Sequence, residues 1–369
     1  MMLTMLRIPV QTASRVYEAV LEQGAISRAG PILRELLGAG RPLFVVSVAP
    51  VRRRWGKAFV GSLEAAGFHP KLVDMADGER FKRLATVERL AEKLSHLGAD
   101  RKAVILAFGG GVVGDTAGLL ASVYMRGVAL VQVPTTVQAQ LDAAIGGKTG
   151  VNLRAGKNLV GTFYQPELVL IDPATLDTLP EREFRAGMYE ALKCGIIGCQ
   201  DLFARLEQES IQALRKDANL LTWTLAESVR LKAQVVRADE KEGDLRRVLN
   251  LGHTIGHALE ASTGYRQFLH GEAVAWGMQA AARISLDMGV CDATVYERIC
   301  HALRTWGKLP EVKVGARKVL EYLQSDKKTE LGVVHFVLPK EIGKVEIHKD
   351  VPRDVVEAAL AEIRHASHA

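Results

Sequence analysis

The strongest constraint on the fold is the run Ala103–Phe108, a continuous apolar stretch that leads directly into Gly109-Gly110-Gly111 and a helix-like segment through Leu120. A strand that is apolar at every position, rather than at alternate ones, is covered on both faces, as in a parallel sheet. The flanking sequence repeats the theme. Leu43–Val48 precedes helical periodicity over Val51–Ala66, Lys71–Met75 precedes helical periodicity over Phe81–Leu97, and Val128–Val133 and Leu168–Ile171 are further predicted strands. Such alternation implies βαβ units and a parallel sheet with helices on both faces.

After Pro180 the pattern changes to long helical periodicity over Glu183–Ile197, Leu221–Arg237, Val248–Ala261, Glu272–Met288 and Ala293–Trp306. Val333–Leu338 with Lys344–His348 reads as a small hairpin, and Val351–Arg364 as a final helix. A chain of 369 residues exceeds what one core usually fills. The expectation is therefore α/β plus α: an α/β domain over 1–179 and a mainly helical domain over 180–369, with the boundary at Leu179-Pro180. There is no internal repeat and no low-complexity segment.

The four cysteines, Cys194, Cys199, Cys291 and Cys300, form no CxxC pair and no disulfide framework, so reduced thiols are expected. The opening MMLTMLRIPVQ has too short an apolar stretch before Arg7 and Pro9 for a signal peptide, and no run reaches the roughly 18 apolar residues of a membrane helix. These features predict a soluble, cytoplasmic protein without a membrane partner. A net charge of +6 points to an anionic partner. Dense basic clusters are confined to Arg52–Arg54 and Lys327-Lys328, and the other cations stand singly among glycines and apolar residues. That distribution suits a few anion sites for a small molecule better than a nucleic-acid stripe.

Four segments carry chemistry. Gly109–Gly118, GGGVVGDTAG, lies between a strand end and a helix start, where backbone amides and the helix dipole favour phosphate. It is not a GxGxxG fingerprint, and a structural βα turn would account for it equally well. Pro134–Asn158 concentrates Thr135, Thr136, Asp142, Lys148, Asn152, Lys157 and Asn158, with Gly146-Gly147 placed to let Lys148 reach a ligand rather than solvent. In Leu249–Glu260, His253 and His257 are four apart and share a helix face, and His270 opens the next helix. Two imidazoles so placed can share a metal, and Glu190, in the small and apolar segment AGMYEALKCG, is the natural carboxylate to join them. Arg230–Asn250 can deliver Lys232, Arg246 and Asn250 to the same cavity, with Arg246 suited to a carboxylate, whereas Glu240, Lys241 and Glu242 read as a solvated helix surface.

Taken together and in this order, these segments closely resemble the 3-dehydroquinate synthases of the sugar phosphate cyclase family, densely over Asp77–Met278. The resemblance implies a Rossmann-like NAD-binding domain, a helical metal-binding domain, an active site in the cleft between them, and a homodimer. It implies zinc, with cobalt as a possible substitute, on Glu190, His253 and His270. It moves His257 from the metal to the substrate phosphate. NAD contacts are implied at Asp77, Glu79 and Lys82; at Gly111, Val112, Val113, Gly114 and Asp115; at Thr135 and Thr136; at Lys148 and Lys157; and at Thr175, Leu176, Asp177 and Thr178. Substrate contacts are implied at Asp142, Lys148, Asn158, Lys193, Lys232, Arg246, Asn250 and His257, with Arg126 reaching across the dimer and Lys327 or Lys328 closing the phosphate end. The chain departs from the family in PTTVQAQLDAAIGG, where leucines usually follow PTT and a serine stands near Ala143 or Ala144.

The implied reaction cyclises 3-deoxy-D-arabino-heptulosonate 7-phosphate with loss of phosphate, in the shikimate pathway of aromatic amino acid biosynthesis. Another sugar phosphate cyclase, or a metal-dependent polyol dehydrogenase, is the alternative. GGKTGVN and GKN argue against the first, and Lys148, Lys157 and Lys193 would have no purpose in the second.

Overall fold

The structure is a computed structural model and describes residues 5–327 and 334–368. It divides into two compact units, Met1–Leu179 with Ala218–Glu240, and Pro180–Asp217 with Lys241–Ala369.

The first unit is built on β1 (Leu6–Gln11), β2 (Val16–Leu21), β3 (Leu43–Val48), β4 (Lys71–Met75), β5 (Val104–Gly109), β6 (Ala129–Pro134), β7 (Lys148–Val151), β8 (Val160–Phe163) and β9 (Leu168–Ile171). Its main sheet has the order β1-β2-β9-β6-β5-β3-β4, and every neighbouring pair is parallel except β1 with β2. Strands β3, β5 and β9 are buried at every residue, as continuous apolar runs require. Alternate residues feed two cores. Phe44, Val46, Ile105 and Ala107 pack on one side of the sheet with Leu90 and Leu120, while Val45, Leu106, Phe108 and Val131 pack on the other with Phe59 and Leu63. From β3 the chain moves outward to β4 and then back across to β5, so the strand order reverses between β3 and β5. In open α/β sheets ligands bind outside the carboxyl ends of the strands at such a reversal.

The sequence reading did not anticipate β1 and β2. Both are short, β1 contains Pro9, and only alternate residues of β1 near its centre are buried, which is how an edge strand looks. Their absence from the expectation explains a correction to the domain assignment. The helix Ala218–Ala238, assigned from sequence to the domain 180–369, belongs to the first unit, where it packs along β1 and β2 and beside the π-helix Ala139–Ala143. Without those strands the sequence offered this helix no partner in the first half. The helical pattern over Phe81–Leu97 also divides, into a 3-10 turn Glu79–Phe81 and a helix Leu84–His96, with Lys82 between them.

In the second unit the helix His270–Asp287 is buried nearly all round and packs against helices Glu181–Gly198, His253–Ser262, Ala293–Thr305 and Arg353–His368. The hairpin is β10 (Phe336–Glu341) with β11 (Lys344–His348), antiparallel, and the predicted start of its first strand at Val333 lies outside the described residues. A single helix predicted over Val248–Ala261 is instead a 3-10 turn Leu245–Asn250 followed by the helix His253–Ser262. Gly252, with φ 78°, makes the break in a left-handed conformation that other residues rarely adopt. His253 is therefore the first residue of a helix rather than an interior one. Among the described residues none of the four cysteines is in a disulfide.

Candidate active site

In the first unit, the segments expected to touch a dinucleotide leave the carboxyl ends of main-sheet strands, apart from Lys148, which opens β7, and Lys157, which lies between β7 and β8. Asp77, Glu79 and Lys82 follow β4; Gly111, Val112, Val113, Gly114 and Asp115 follow β5; Thr135 and Thr136 follow β6; and Thr175, Leu176, Asp177 and Thr178 follow β9. Among the described residues the helix Gly111–Val123 has no side-chain cap, and the amides of Gly111 and Val112, which precede the first amide bonded to Gly110 O, suit an anion. Thr135 is buried, and its backbone N–H donates to Gly109 O at 3.0 Å, which ties the β5 and β6 exits together.

Lys82 is buried, and its Nζ donates to Asp115 Oδ2 at 2.5 Å and to Asn158 Oδ1 at 2.5 Å. Burial pushes the Asp115 carboxyl up from its ordinary value, although the charge and hydrogen bond of Lys82 oppose this. Asn158 holds φ 56°, and its backbone N–H donates to Asn152 Oδ1 at 2.8 Å, while Asn152 Nδ2 donates to Glu79 Oε1 at 2.7 Å. The hairpin of β7 and β8 is thus pinned to the turn after β4. Lys232 Nζ donates to Asp142 Oδ1 at 2.5 Å and to Asp142 O, bringing two expected substrate contacts together. Lys148 is exposed and Lys157 half-buried.

Two residues dismissed from sequence as helix surface prove structural. The helix stops at Ala238, and the Glu240 carboxylate accepts from Ser14 N at 3.0 Å, from Gln165 Nε2 at 2.9 Å and from Ser14 Oγ. Burial works to raise the Glu240 carboxyl, but these donors outweigh it and hold it below its ordinary value. Glu242, with φ 60°, accepts from Asn250 Nδ2 at 3.3 Å in the second unit. Arg246, also in that unit, is only 2% exposed.

The second unit gathers the expected metal ligands. Glu190 is 1% exposed on helix Glu181–Gly198, and its Oε1 lies 3.9 Å from His253 Nε2 and 3.6 Å from His270 Nε2. His257 stands one turn beyond His253, and the three imidazoles have ligand atoms within 4.8 Å of one another. Both outer nitrogens of the relevant pair are occupied. His253 Nδ1 faces Leu251 O at 3.2 Å, and His270 Nδ1 faces Glu260 Oε2 at 3.1 Å, with Glu260 itself buried. Carbonyl and carboxylate acceptors favour the Nδ1–H tautomer, which turns each Nε2 lone pair toward Glu190. Neither Glu190 oxygen takes a well-directed hydrogen bond, and Lys193 Nζ, 2.5 Å from Oε2, counters its charge. A buried carboxylate facing two imidazole Nε2 atoms fits a divalent cation. Burial works against a charged His270, yet the hydrogen bond and charge of Glu260 prevail and raise its pKa.

Close backbone approach makes this convergence possible. A Cβ at Gly271 would lie 1.8 Å from Ala186 O, and one at Gly277 would lie 1.8 Å from Gly252 O. Glycine at these points lets helix His270–Asp287 sit directly against the elements that carry Glu190 and His253. Glu260 was missed from sequence, although a glutamate in the apolar stretch HALEAS carries the same signal that drew attention to Glu190. Arg126 is exposed in a turn where Met125, Arg126 and Gly127 all have positive φ, and the Lys327 or Lys328 contact lies outside the described residues. Among the described residues no helix is long and apolar enough to cross a membrane.

Comparison with known proteins bears on both units. Residues 72–186 match the family described as 3-dehydroquinate synthase N-terminal, and residues 187–329 match 3-dehydroquinate synthase C-terminal. A 3-dehydroquinate synthase of Koribacter versatilis (strain Ellin345) is 51% identical over 98% of this chain and 99% of its own. Among solved structures, a 2-deoxy-scyllo-inosose synthase complexed with carbaglucose-6-phosphate, NAD+ and Co2+ superposes with a TM-score of 0.86 at 28% identity, covering 98% of this chain and 99% of its own. A 2-epi-5-epi-valiolone synthase from Streptomyces hygroscopicus subsp. jinggangensis 5008, with NAD+ and Zn2+ bound, gives 0.85 at 29% identity, covering 95% of this chain and 97% of its own. The order of motifs, the two-part match along the chain and the near full-length identity agree: the chain belongs to the 3-dehydroquinate synthase family.

Proposed function

We propose that this chain converts 3-deoxy-D-arabino-heptulosonate 7-phosphate to 3-dehydroquinate and inorganic phosphate in the shikimate pathway, using NAD and a divalent metal, zinc or cobalt. The observation that carries the reading is the Glu190, His253 and His270 cluster, in which both Nδ1 atoms are tied and both Nε2 atoms face one buried carboxylate. NAD with zinc or cobalt accompanies the two similar cyclases named above. The heptulosonate phosphate is preferred over the substrates of those cyclases because identity is 51% to a 3-dehydroquinate synthase against 28% and 29% to them.

When bound, the metal supplies Lewis-acid activation of a substrate hydroxyl, and NAD supplies reversible oxidation of the carbon that bears it. The side chains do the rest. Arg246, buried at 2% exposure, grips the substrate carboxylate in bidentate fashion. Asp142 and Lys232, already paired, hold substrate hydroxyls together with Lys193 and Asn250. Lys148, Asn158 and His257 face the phosphate, whose developing charge on elimination is stabilised by fixed cations and hydrogen bonds, and the departing phosphate can carry away the proton of the carbon next to the transient ketone. Ring opening and intramolecular aldol closure need only an enclosed, oriented intermediate.

The phosphate set is completed in a homodimer by Arg126 from a second copy. Exposure of Val123 at 52% and Met125 at 45% beside Arg126 supports an apolar contact there. A cytoplasmic location fits the pathway and cysteines that form no disulfide among the described residues. To test the reading, purified protein is supplied with the heptulosonate phosphate, NAD and zinc, and inorganic phosphate and carbocyclic product are followed. Equal amounts of both with no accumulation of NADH support it. NADH formed in proportion to substrate consumed would instead indicate a dehydrogenase.

A further inference from the structure

We propose that Gln140 is a positioning residue for the dinucleotide, a buried amide that locks the turn after β9 onto the end of β6. The inference rests on the NAD assignment above, which places contacts on both segments.

Gln140 is fully buried on the π-helix Ala139–Ala143, the element that also carries Asp142. Its Nε2 lies 3.2 Å from Pro134 O, 2.9 Å from Asp172 O and 2.9 Å from Thr175 Oγ1. Two of these are carbonyl oxygens, which only accept, so the amide can face them only with its nitrogen. Thr175 Oγ1 spends its own proton on Asp172 O at 2.8 Å and is left to accept from Gln140. One amide group is therefore shared among the last residue of β6, the residue that follows β9, and the first threonine of the cofactor turn.

The rest of that turn is anchored on its other side. Asp172 is 1% exposed, and its carboxylate accepts from Gly24 N at 2.8 Å, Ile26 N at 2.9 Å and Ala174 N at 3.0 Å. These bonds fix residues 172–174 to the loop after β2, but they do not reach β6. The pairing of β6 with β9 ends at Gln132 and Val169, and beyond it Gln140 supplies that connection. It sets the spacing between Thr135 and Thr136 on one strand exit and Thr175 and Thr178 on the next, the two places from which the cofactor is to be held.

The amide is kept at a cost. Among the described residues Gln140 Oε1, buried, has no hydrogen-bond partner, a penalty that an apolar side chain of similar size would avoid. π-helical turns concentrate at functional sites, and here the turn points one side chain at the cofactor segments and another, Asp142, at Lys232.

The test compares the full chain with Gln140→Leu, which keeps size and removes the donor, and with Gln140→Glu, which keeps shape and turns an acceptor toward two carbonyls. NAD affinity is measured by calorimetry, alongside zinc content, melting temperature, and the Michaelis constant for NAD and kcat at saturating NAD. The expected result is a dissociation constant for NAD raised about 10- to 100-fold in both variants, zinc content unchanged and kcat at saturating NAD within about threefold. If Gln140→Leu fails to fold, the same split read from Gln140→Glu decides the matter. NAD binding of wild-type strength in a folded variant overturns the inference and leaves the function standing. Joint loss of NAD affinity, zinc and kcat would show a merely structural role and also overturn it. Absence of NAD binding by the wild-type chain would sink the function reading and this inference together.

Discussion

Replacing Gly271 by alanine tests whether close helix packing sets the metal cluster. The added Cβ would fall 1.8 Å from Ala186 O, and a real Cβ keeps at least about 3.0 Å, so helix His270–Asp287 must retreat by about 1.2 Å at the residue next to His270. The three nearest atoms are all backbone of Ala186, within the buried part of helix Glu181–Gly198, with no flexible side chain to swing away. Overpacking of this kind costs about 1–3 kcal/mol, which lowers the melting temperature by roughly 2–12 °C for a domain of this size. The displacement also exceeds the tolerance of zinc bonds about 2.0–2.2 Å long, so zinc affinity should fall at least about tenfold. Gly61→Ala is the control. Gly61 lies within helix Ala49–Ala65 with no atom within 4 Å of a built Cβ, so this change should raise stability by about 0.5–1 kcal/mol. Scanning calorimetry with and without zinc, and competition with a chelating indicator, read both effects. A Gly271→Ala protein that melts and binds zinc like the wild type would refute the packing argument.

Three further outcomes are expected. Glu260→Ala removes the acceptor that holds His270 Nδ1 at 3.1 Å, and should weaken zinc binding about 10- to 100-fold, measured by the same competition. Arg246→Lys keeps the charge but loses the bidentate fork, so the Michaelis constant for the heptulosonate phosphate should rise about tenfold or more with a smaller change in kcat; unchanged kinetics would remove the carboxylate clamp. Glu240 titrates below its ordinary value of 4.5, so its contribution to stability is complete above that pH and is lost as pH falls through the depressed value. Glu240→Gln should therefore lower the melting temperature near neutrality and make the acid limb of the profile shallower. An acid limb as steep as that of the wild type would contradict the sign of the shift.

The central strands were legible because burial on both faces leaves an unmistakable trace. Ala103–Phe108 is apolar throughout and forms the heart of β5, shifted by a single residue. The edge hairpin of β1 and β2 was not, because an edge strand needs only part of its residues to be apolar, and the helix Ala218–Ala238 was then assigned to the wrong unit for want of its partner. At the candidate metal site, four-residue spacing drew attention to His253 and His257, and the structure holds both near His270. Spacing could not rank them. His253 and His270 each have an acceptor behind Nδ1 and the Glu190 carboxylate before Nε2, and those contacts depend on a left-handed Gly252 and on helix contacts invisible along the chain. Gln140 was hidden for a similar reason: its meaning lies in carbonyl groups at Pro134 and Asp172, and every residue type carries a carbonyl.

Crystals grown with zinc and measured at the zinc absorption edge test the assignment most directly. The account expects one anomalous peak in the second unit, with Glu190, His253 Nε2 and His270 Nε2 at about 2.0–2.2 Å and His257 outside the coordination sphere. A peak bound by His253, His257 and His270 with Glu190 left out, or no peak among these side chains at all, would contradict it.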